Sequence, residues 1–241
     1  MVVFRKLLRL LLKLIVWFLG LSIGSVIFFR FVPPPVTPLM LIRVAEQIGD
    51  GKKIKLNKSW VPVRKVSRHL PLAVMASEDQ KFADHFGFDF EAIAKARKYN
   101  ERKGGKKVKG ASTISQQTAK NVFLWPDRSY VRKGFEVYFT FLIELIWSKE
   151  RIMEVYLNEI EMGDGIYGAE AAAQYYFHKP CSALNRSESA LIAACLPNPR
   201  KWSPAKPTPY IVRKKNWIVR QMRMMESPEF LEEAGDKSTT Q

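Results

Sequence analysis

The 241-residue sequence predicts a mainly α-helical domain carried on one membrane-crossing helix. Three observations predict it. Residues 14–29 form an apolar run, with Arg5, Lys6, Arg9 and Lys13 ahead of it. Segment after segment beyond residue 37 spaces its apolar side chains at the helical period, with no persuasive strand alternation and no repeat. Helix-capping residues and prolines punctuate those segments at their ends. Apolar residues make up 47% of the chain, enough to build one good-sized core.

The anchor comes first. As a helix, residues 10–32 cover a bilayer core of about 30 Å. A cleaved signal peptide would have a shorter core and small residues at its cleavage site. Here the run ends in Phe28-Phe29-Arg30-Phe31-Val32 and the triplet Pro33-Pro34-Pro35, which predicts an uncleaved anchor. The basic residues before it predict a cytoplasmic N-terminus. The chain then divides into a basic N-terminus and anchor, residues 1–36, and an extracytoplasmic domain, residues 37–241. A net charge of +16 calls for an anionic partner: nucleic acid, a membrane surface or a phosphate-bearing substrate. The predicted topology argues against nucleic acid. Two cysteines, Cys181 and Cys195, are too few for a disulfide framework or a zinc site, and whether they pair is open.

Residues 37–49 read as a short amphipathic helix through Leu39, Leu41, Ile42, Ala45 and Ile48. Lys52, Lys53, Lys55 and Lys58 lead to Trp60, a segment suited to anionic headgroups or equally to open solvent. The apolar stretch from Leu70 to Ala76 then runs into Ser77-Glu78-Asp79-Gln80-Lys81-Phe82-Ala83-Asp84-His85-Phe86-Gly87-Phe88-Asp89. A carboxylate brought to a cleft by an apolar segment is what general acid–base chemistry requires, because partial burial moves its pKa towards neutrality. Glu78 is the first candidate; the same residues also suit a solvated turn. Residues 90–99 read as a helix. Lys95, Arg97, Lys98, Arg102, Lys103, Lys106, Lys107 and Lys109, broken by Gly104-Gly105, form a basic loop. It would guide an anionic lipid-linked substrate or simply be solvated.

Gly110-Ala111-Ser112-Thr113-Ile114-Ser115-Gln116-Gln117-Thr118-Ala119-Lys120-Asn121 begins a helix, with Ser112 or Thr113 as its N-cap. Gln116 and Lys120, four apart, share a face. Free N–H groups, hydroxyls, amides and a lysine suit phosphate oxygens and sugar hydroxyls. After Trp125-Pro126-Asp127-Arg128 a longer helix places Phe135, Tyr138, Phe139, Leu142, Ile143 and Ile146 on a core stripe. Arg132, Lys133 and Glu136 lie off that stripe. They are either a surface ion pair worth roughly a few tenths of a kcal/mol, or a second carboxylate with its cations. Further helices follow over 149–160, 169–177 and 187–196, the last with a capping-box start at Asn185 and Glu188. Pro197, Pro199, Pro204, Pro207 and Pro209 stiffen a loop around Trp202. A final helix over 210–225 is expected to turn Trp217, Ile218 and Met222 inward, with a frayed tail from Ser227.

In this order the motifs resemble the peptidoglycan glycosyltransferase family, found alone in monofunctional transglycosylases and as a module of class A penicillin-binding proteins. The stretch Glu78-Asp79-x-x-Phe82-x-x-His85-x-Gly87-x-Asp89 matches its first motif. Gly110 to Gln117 resembles the second, with Ala111 where glycine is usual and Ser115 where threonine is. Arg132-Lys133-x-x-Glu136 resembles the third. Tyr156-Leu157-Asn158 with Gly163, Gly168 and Ala171-Ala172 resembles the fourth, and Ala190-Leu191-Ile192-Ala193 to Pro197-x-Pro199 the fifth.

The resemblance implies a lysozyme-like helical head over a cleft and a smaller, membrane-facing jaw. It implies polymerisation of lipid II into a β-1,4 glycan, with inversion and release of undecaprenyl diphosphate. By motif, Glu78 is similar to the general base and Glu136 to the second glutamate near the donor. Lys120 and Arg128 match diphosphate contacts; Ser112, Gln116, Gln117, Arg132 and Lys133 line the same region. A divalent ion, Mg or Mn, would help at the diphosphate, but the sequence has no dedicated ligand cluster and leaves this open. Expected partners are lipid II, the growing glycan, membrane lipids and other cell-wall proteins, not nucleic acid. The expected location is the outer face of a bacterial plasma membrane, of Gram-negative type. A peptidoglycan-cleaving enzyme also uses a glutamate in a helical cleft but has no need of Lys120, Arg128, Arg132 and Lys133, because no diphosphate leaves. A non-catalytic cell-wall scaffold has no need of two glutamates.

Overall fold

The computed structural model describes residues 2–104, 110–127 and 129–231. Arg128, Lys106, Lys107 and Lys109 therefore lie outside the described residues. The chain opens with helix α1 (Val2–Phe31), which is long and apolar enough to cross a membrane. Helix α2 (Pro38–Gly49) follows, with Thr37 as N-cap and Pro38 in its first turn, where a missing N–H costs nothing. Met40 is its buried residue; Leu41 and Ile48 of the amphipathic set are 62% and 61% exposed. A helix this close to the anchor needs no fully sheltered apolar face.

The head is built from α3 (His69–Glu78), α5 (Ile114–Phe123), α7 (Lys149–Glu159), α8 (Ala169–Phe177), α9 (Arg186–Cys195) and α10 (Pro209–Met224). Helix α3 packs on α9 and α10, and α5 on α6 (Tyr130–Ile146) and α7. Leu70, Ile114, Ile143, Ile152, Leu157, Ala172, Ala193 and Ile218 are among its fully buried side chains. The capping box read at Asn185 and Glu188 is formed, each side chain accepting from the other's backbone N–H. A small sheet, unread in the sequence, joins β1 (Asn57–Lys58), β2 (Glu161–Gly163) and β3 (Ile166–Tyr167) in the order β1-β3-β2. Strands of two or three residues are too short to show alternation. Two further expectations fail. Trp217 is 39% exposed while Ile218 and Met222 are buried, so the inward stripe is narrower than expected. The tail is ordered against the core as far as Leu231, which is buried, and Phe230 meets the Phe82 ring edge-on. Cys181 and Cys195 are both free and buried.

The anchor is joined to the domain along one stripe. Phe18 packs on the rings of Phe135 and Tyr138, and the Ser22 hydroxyl lies 2.7 Å from that of Tyr138. Trp147 Nε1 donates to the Val26 carbonyl, and Arg151 donates to the carbonyls of Phe29 and Val32. A cation at those last carbonyls complements the helix dipole. Lys58 completes the joint: its ammonium bonds both oxygens of buried Glu159 and the carbonyl of Pro34. Burial nevertheless raises Glu159 to about 7 against the pull of Lys58. Trp60, suited by sequence to headgroups or to solvent, is partly buried at this joint, with Arg151 5.2 Å and Lys58 6.0 Å from its ring. The outer face of α6 leaves Val137, Phe141 and Leu145 exposed, and Phe86 and Phe90 are exposed on the segment before and at the start of α4 (Phe90–Arg102). Phe86 and Phe141 touch edge-on, which extends the apolar surface beside the anchor.

Candidate active site

The first motif is mostly scaffold. Asp79 caps the C-terminus of α3, and its carboxylate accepts from Ile114 N at 2.9 Å and pairs with His85 Nε2 at 2.8 Å. Asp89 N-caps α4 by accepting from Ala92 N. Asp84 is exposed on the intervening turn. Thr113, the N-cap of α5, donates its hydroxyl to the Gly87 carbonyl at 2.7 Å. The turn after α3 is thereby clamped to the start of α5.

Gly87 sits at φ +76°, and a Cβ there would come within 2.8 Å of Thr140 Cγ2 and 2.9 Å of Glu144 Cγ. Glu144 cannot yield easily, because Ser115 and Lys149 both donate to it. Gly87→Ala is expected to destabilise the domain by roughly 2–4 kcal/mol, from left-handed strain and overpacking together. The check is the unfolding midpoint in detergent, which should fall by about 5–10 °C. An unchanged midpoint would show that the clamp is slack.

What remains of the motif for chemistry is Glu78. It is the last residue of α3, held at the end of a buried apolar helix, and it is only half-buried. Its Oε1 accepts from the Ser77 hydroxyl at 3.1 Å, and its Oε2 accepts from Gln117 Nε2 at 3.2 Å. The buried phenol of Tyr156 donates to Gln117 Oε1 at 3.4 Å, fixing the amide so that its NH₂ faces the carboxylate. Gln117 and Glu78 are thus held in direct contact.

Gln116 is tied into the start of α5. It is buried, and its side chain closes the capping box by accepting from Thr113 N. A glutamine at the third helical position has an unsatisfied N-cap N–H within reach, and that local bond wins over the face-sharing with Lys120. Ser112 is exposed just ahead of the cap.

The second carboxylate is buried. Glu136 is 3% exposed and receives Arg132 Nη1 at 2.7 Å and the Lys133 ammonium. The surface-pair alternative for Arg132 and Glu136 is therefore excluded: Arg132 itself is 9% exposed. Lys120 lies within electrostatic reach of both Glu136 and Glu78 and makes no ion pair within 4.0 Å among the described residues. Burial, then Arg132 and Lys133, lower its pKa, while Glu136 and Glu78 pull it up. Three cations around one carboxylate leave an excess of positive charge beside Glu78.

Lys214 of α10 was missed by sequence reasoning. Burial lowers its pKa, and Glu78 is the carboxylate that acts against this. It lies far along the chain from the first motif and belongs to no motif, so only the packing of α10 on α3 and α9 places it there.

Among the described residues no three His, Cys, Asp or Glu side chains gather to hold a metal ion. The carboxylate nearest the cations, Glu136, is already committed to Arg132 and Lys133. This donor set does not fit a resident metal.

A half-exposed carboxylate within electrostatic reach of a cationic cluster, on a helical domain that carries one helix long and apolar enough to cross a membrane, suits an enzyme acting on an anionic substrate at the bilayer surface. The comparisons narrow the class. The chain belongs to the transglycosylase family, whose description matches residues 45–223. A Bacteroides thetaiotaomicron protein named biosynthetic peptidoglycan transglycosylase is 54% identical over 237 residues, covering 98% of this chain and 95% of that protein. A Pseudomonas syringae pv. syringae protein of the same name is 50% identical over 228 residues, covering 95% and 96%.

Proposed function

We propose that this chain polymerises lipid II into β-1,4-linked glycan strands, a peptidoglycan glycosyltransferase reaction that inverts configuration and releases undecaprenyl diphosphate. The observation that carries the reading is the half-exposed carboxylate of Glu78 with Lys120 within its electrostatic reach, beside the cluster of Arg132, Lys133 and Glu136. Glu78 takes the proton from the acceptor's sugar hydroxyl as that oxygen bonds to the donor's anomeric carbon. The bond from that carbon to the diphosphate oxygen breaks, and the leaving charge falls to Lys120, Arg132 and Lys133. Arg128, from its place in the motif order, is assigned to the same role. Preorganised cations at a developing diphosphate are worth several kcal/mol of barrier. Glu136 orients Arg132 and Lys133 and keeps them from repelling one another. Gln117 and Ser112 line the cleft; Gln116 acts through the cap of α5. Mg or Mn, if used, would arrive with the phosphates, and no step is derived through it.

The division into an anchor of residues 1–36 and an outer domain of residues 37–241 fits this chemistry. Lipid-linked phosphates lie at headgroup depth, and the anchor meets α6 alongside its second half. The basic residues before the span favour a cytoplasmic N-terminus and a catalytic domain on the outer face of a bacterial plasma membrane, of Gram-negative inner type. Partners beyond the substrate, the glycan and the bilayer would be cell-wall synthesis proteins.

The test is incubation of purified full-length protein in detergent with lipid II. High-molecular-weight product that lysozyme degrades, formed with release of the lipid diphosphate, is the expected result. Shortening of preformed glycan without polymer would replace the reading with a cleaving enzyme. Binding without either reaction would leave a scaffold.

A further inference from the structure

Between α2 and the segment after α5 lies a cavity of about 530 Å³, lined by Leu39, Arg43, Lys120, Leu124, Trp125 and Arg132 among others. Arg43 belongs to none of the motifs, and it comes from the helix that follows the anchor. Three cations from α2, α5 and α6 thus face one space, with Asp127 as the acid on its wall. Their bonding is incomplete in a consistent way. Arg43 gives Nη1 to Glu46 at 2.7 Å, yet its buried Nε has no hydrogen-bond partner among the described residues. Arg132 gives Nη1 to Glu136, and its buried Nε is likewise unpartnered. Lys120 makes no ion pair within 4.0 Å among the described residues. Glu161 comes no nearer to Arg43 Nε than 3.9 Å. Buried donors on cations are costly to leave unmade, so such a set is built to receive acceptor oxygens carrying negative charge.

The rest of the lining narrows the ligand. Leu39, Leu124, Trp125 and Pro126 add apolar and aromatic surface to the same cavity. A free phosphate would leave that surface unused, whereas a phosphate on a hydrocarbon chain uses both. Resting on the reading above, we propose that Arg43 is a further ligand of the donor's lipid-linked diphosphate, so that the juxtamembrane helix α2 forms one wall of the donor subsite. A glycerophospholipid headgroup shares this chemistry and is the competing source.

Arg43 contacts a phosphate that is present both before and during the reaction. Its loss should therefore weaken binding of ground state and transition state alike and fall on KM rather than kcat. The experiment compares wild type, Arg43→Gln and Arg43→Lys for polymerisation of lipid II in neutral detergent without phospholipid. Arg43→Gln is expected to raise KM by about 10-fold, the size of one charge-assisted hydrogen bond, with kcat changing far less. Arg43→Lys should recover part of the loss, since it restores the charge but not the fork. Both variants are also sedimented with phosphatidylcholine vesicles, with and without phosphatidylglycerol. An unchanged KM together with weaker binding to phosphatidylglycerol vesicles would give the cavity to a bilayer headgroup and overturn the proposal. So would a fall in kcat and unfolding midpoint with KM unchanged, which would make Arg43 a strut between Glu46 and Glu161. Failure of the wild type itself to polymerise would strike the proposed function instead and is read from the same assay.

Discussion

Glu78→Gln is expected to lower kcat for glycan polymerisation by about 10²–10⁴-fold, the usual contribution of a positioned general base. Lipid II affinity and the unfolding midpoint should stay near those of the wild type. The reasoning rests on what holds the side chain. Ser77 and Gln117 both donate to the carboxylate, and a glutamine of the same shape keeps an acceptor oxygen for one of them. The Ser77 hydroxyl can rotate, so little is lost from the fold. What disappears is the ability to take a proton. Glu78→Asp tests position rather than charge: shortening by one methylene withdraws the carboxylate from the end of α3, and a misplacement of about 1 Å costs on the order of 100-fold. The measurement is single-turnover and steady-state polymerisation on the three proteins, with lipid II binding measured separately. If Glu78→Gln kept more than about a tenth of the wild-type rate, the base would have to be sought elsewhere.

How far the site was legible depends on how local its determinants are. Thr113 and Asn185 could be read as caps because a cap is decided by three or four neighbouring residues, and both capping boxes form. The same locality gives Gln116 its bond: three residues after Thr113, its side chain closes the capping box. Glu136 was placed off the core stripe because periodicity assumes one buried face. Helix α6 packs on α1 and on α5, and Arg132 and Glu136 are buried off its apolar stripe. Trp60, suited by sequence to headgroups or to solvent, stacks with Arg151, a residue 91 positions further on that no local pattern connects to it. Lys214 and Arg43 were invisible for the related reason that neither sits in a motif; tertiary packing alone brings α10 and α2 to the cleft. Asp79, in contrast, belonged to the most legible stretch, yet its role as a buried clamp between His85 and α5 required coordinates.

Lys120→Met should separate catalysis from stability by moving them in opposite directions. Removal of one preorganised group that stabilises developing negative charge typically costs about 10²–10³-fold in kcat. Lys120 is the cation between the two glutamates, so the loss should fall there rather than on KM alone. For stability the sign is reversed. Burial lowers the pKa of Lys120, so near neutral pH the unfolded chain binds its proton more tightly than the folded one, and the charge opposes folding. Glu136 keeps Arg132 and Lys133 when Lys120 is gone, so no buried carboxylate is orphaned. The unfolding midpoint of Lys120→Met is therefore expected at or above that of the wild type. The lowered pKa also predicts a pH dependence. In the free enzyme kcat/KM should fall on the alkaline side before the ordinary lysine range is reached, because the neutral amine cannot stabilise the leaving diphosphate. Lys120→Arg holds its charge throughout, so its alkaline limb should move to higher pH even where its absolute rate is lower. The decisive comparison is the pH profile of kcat/KM for wild type and Lys120→Arg, beside the midpoint of Lys120→Met. Superimposable profiles, or a midpoint that falls with the rate, would mean that Lys120 supports the fold and that the leaving charge is met by Arg132 and Lys133.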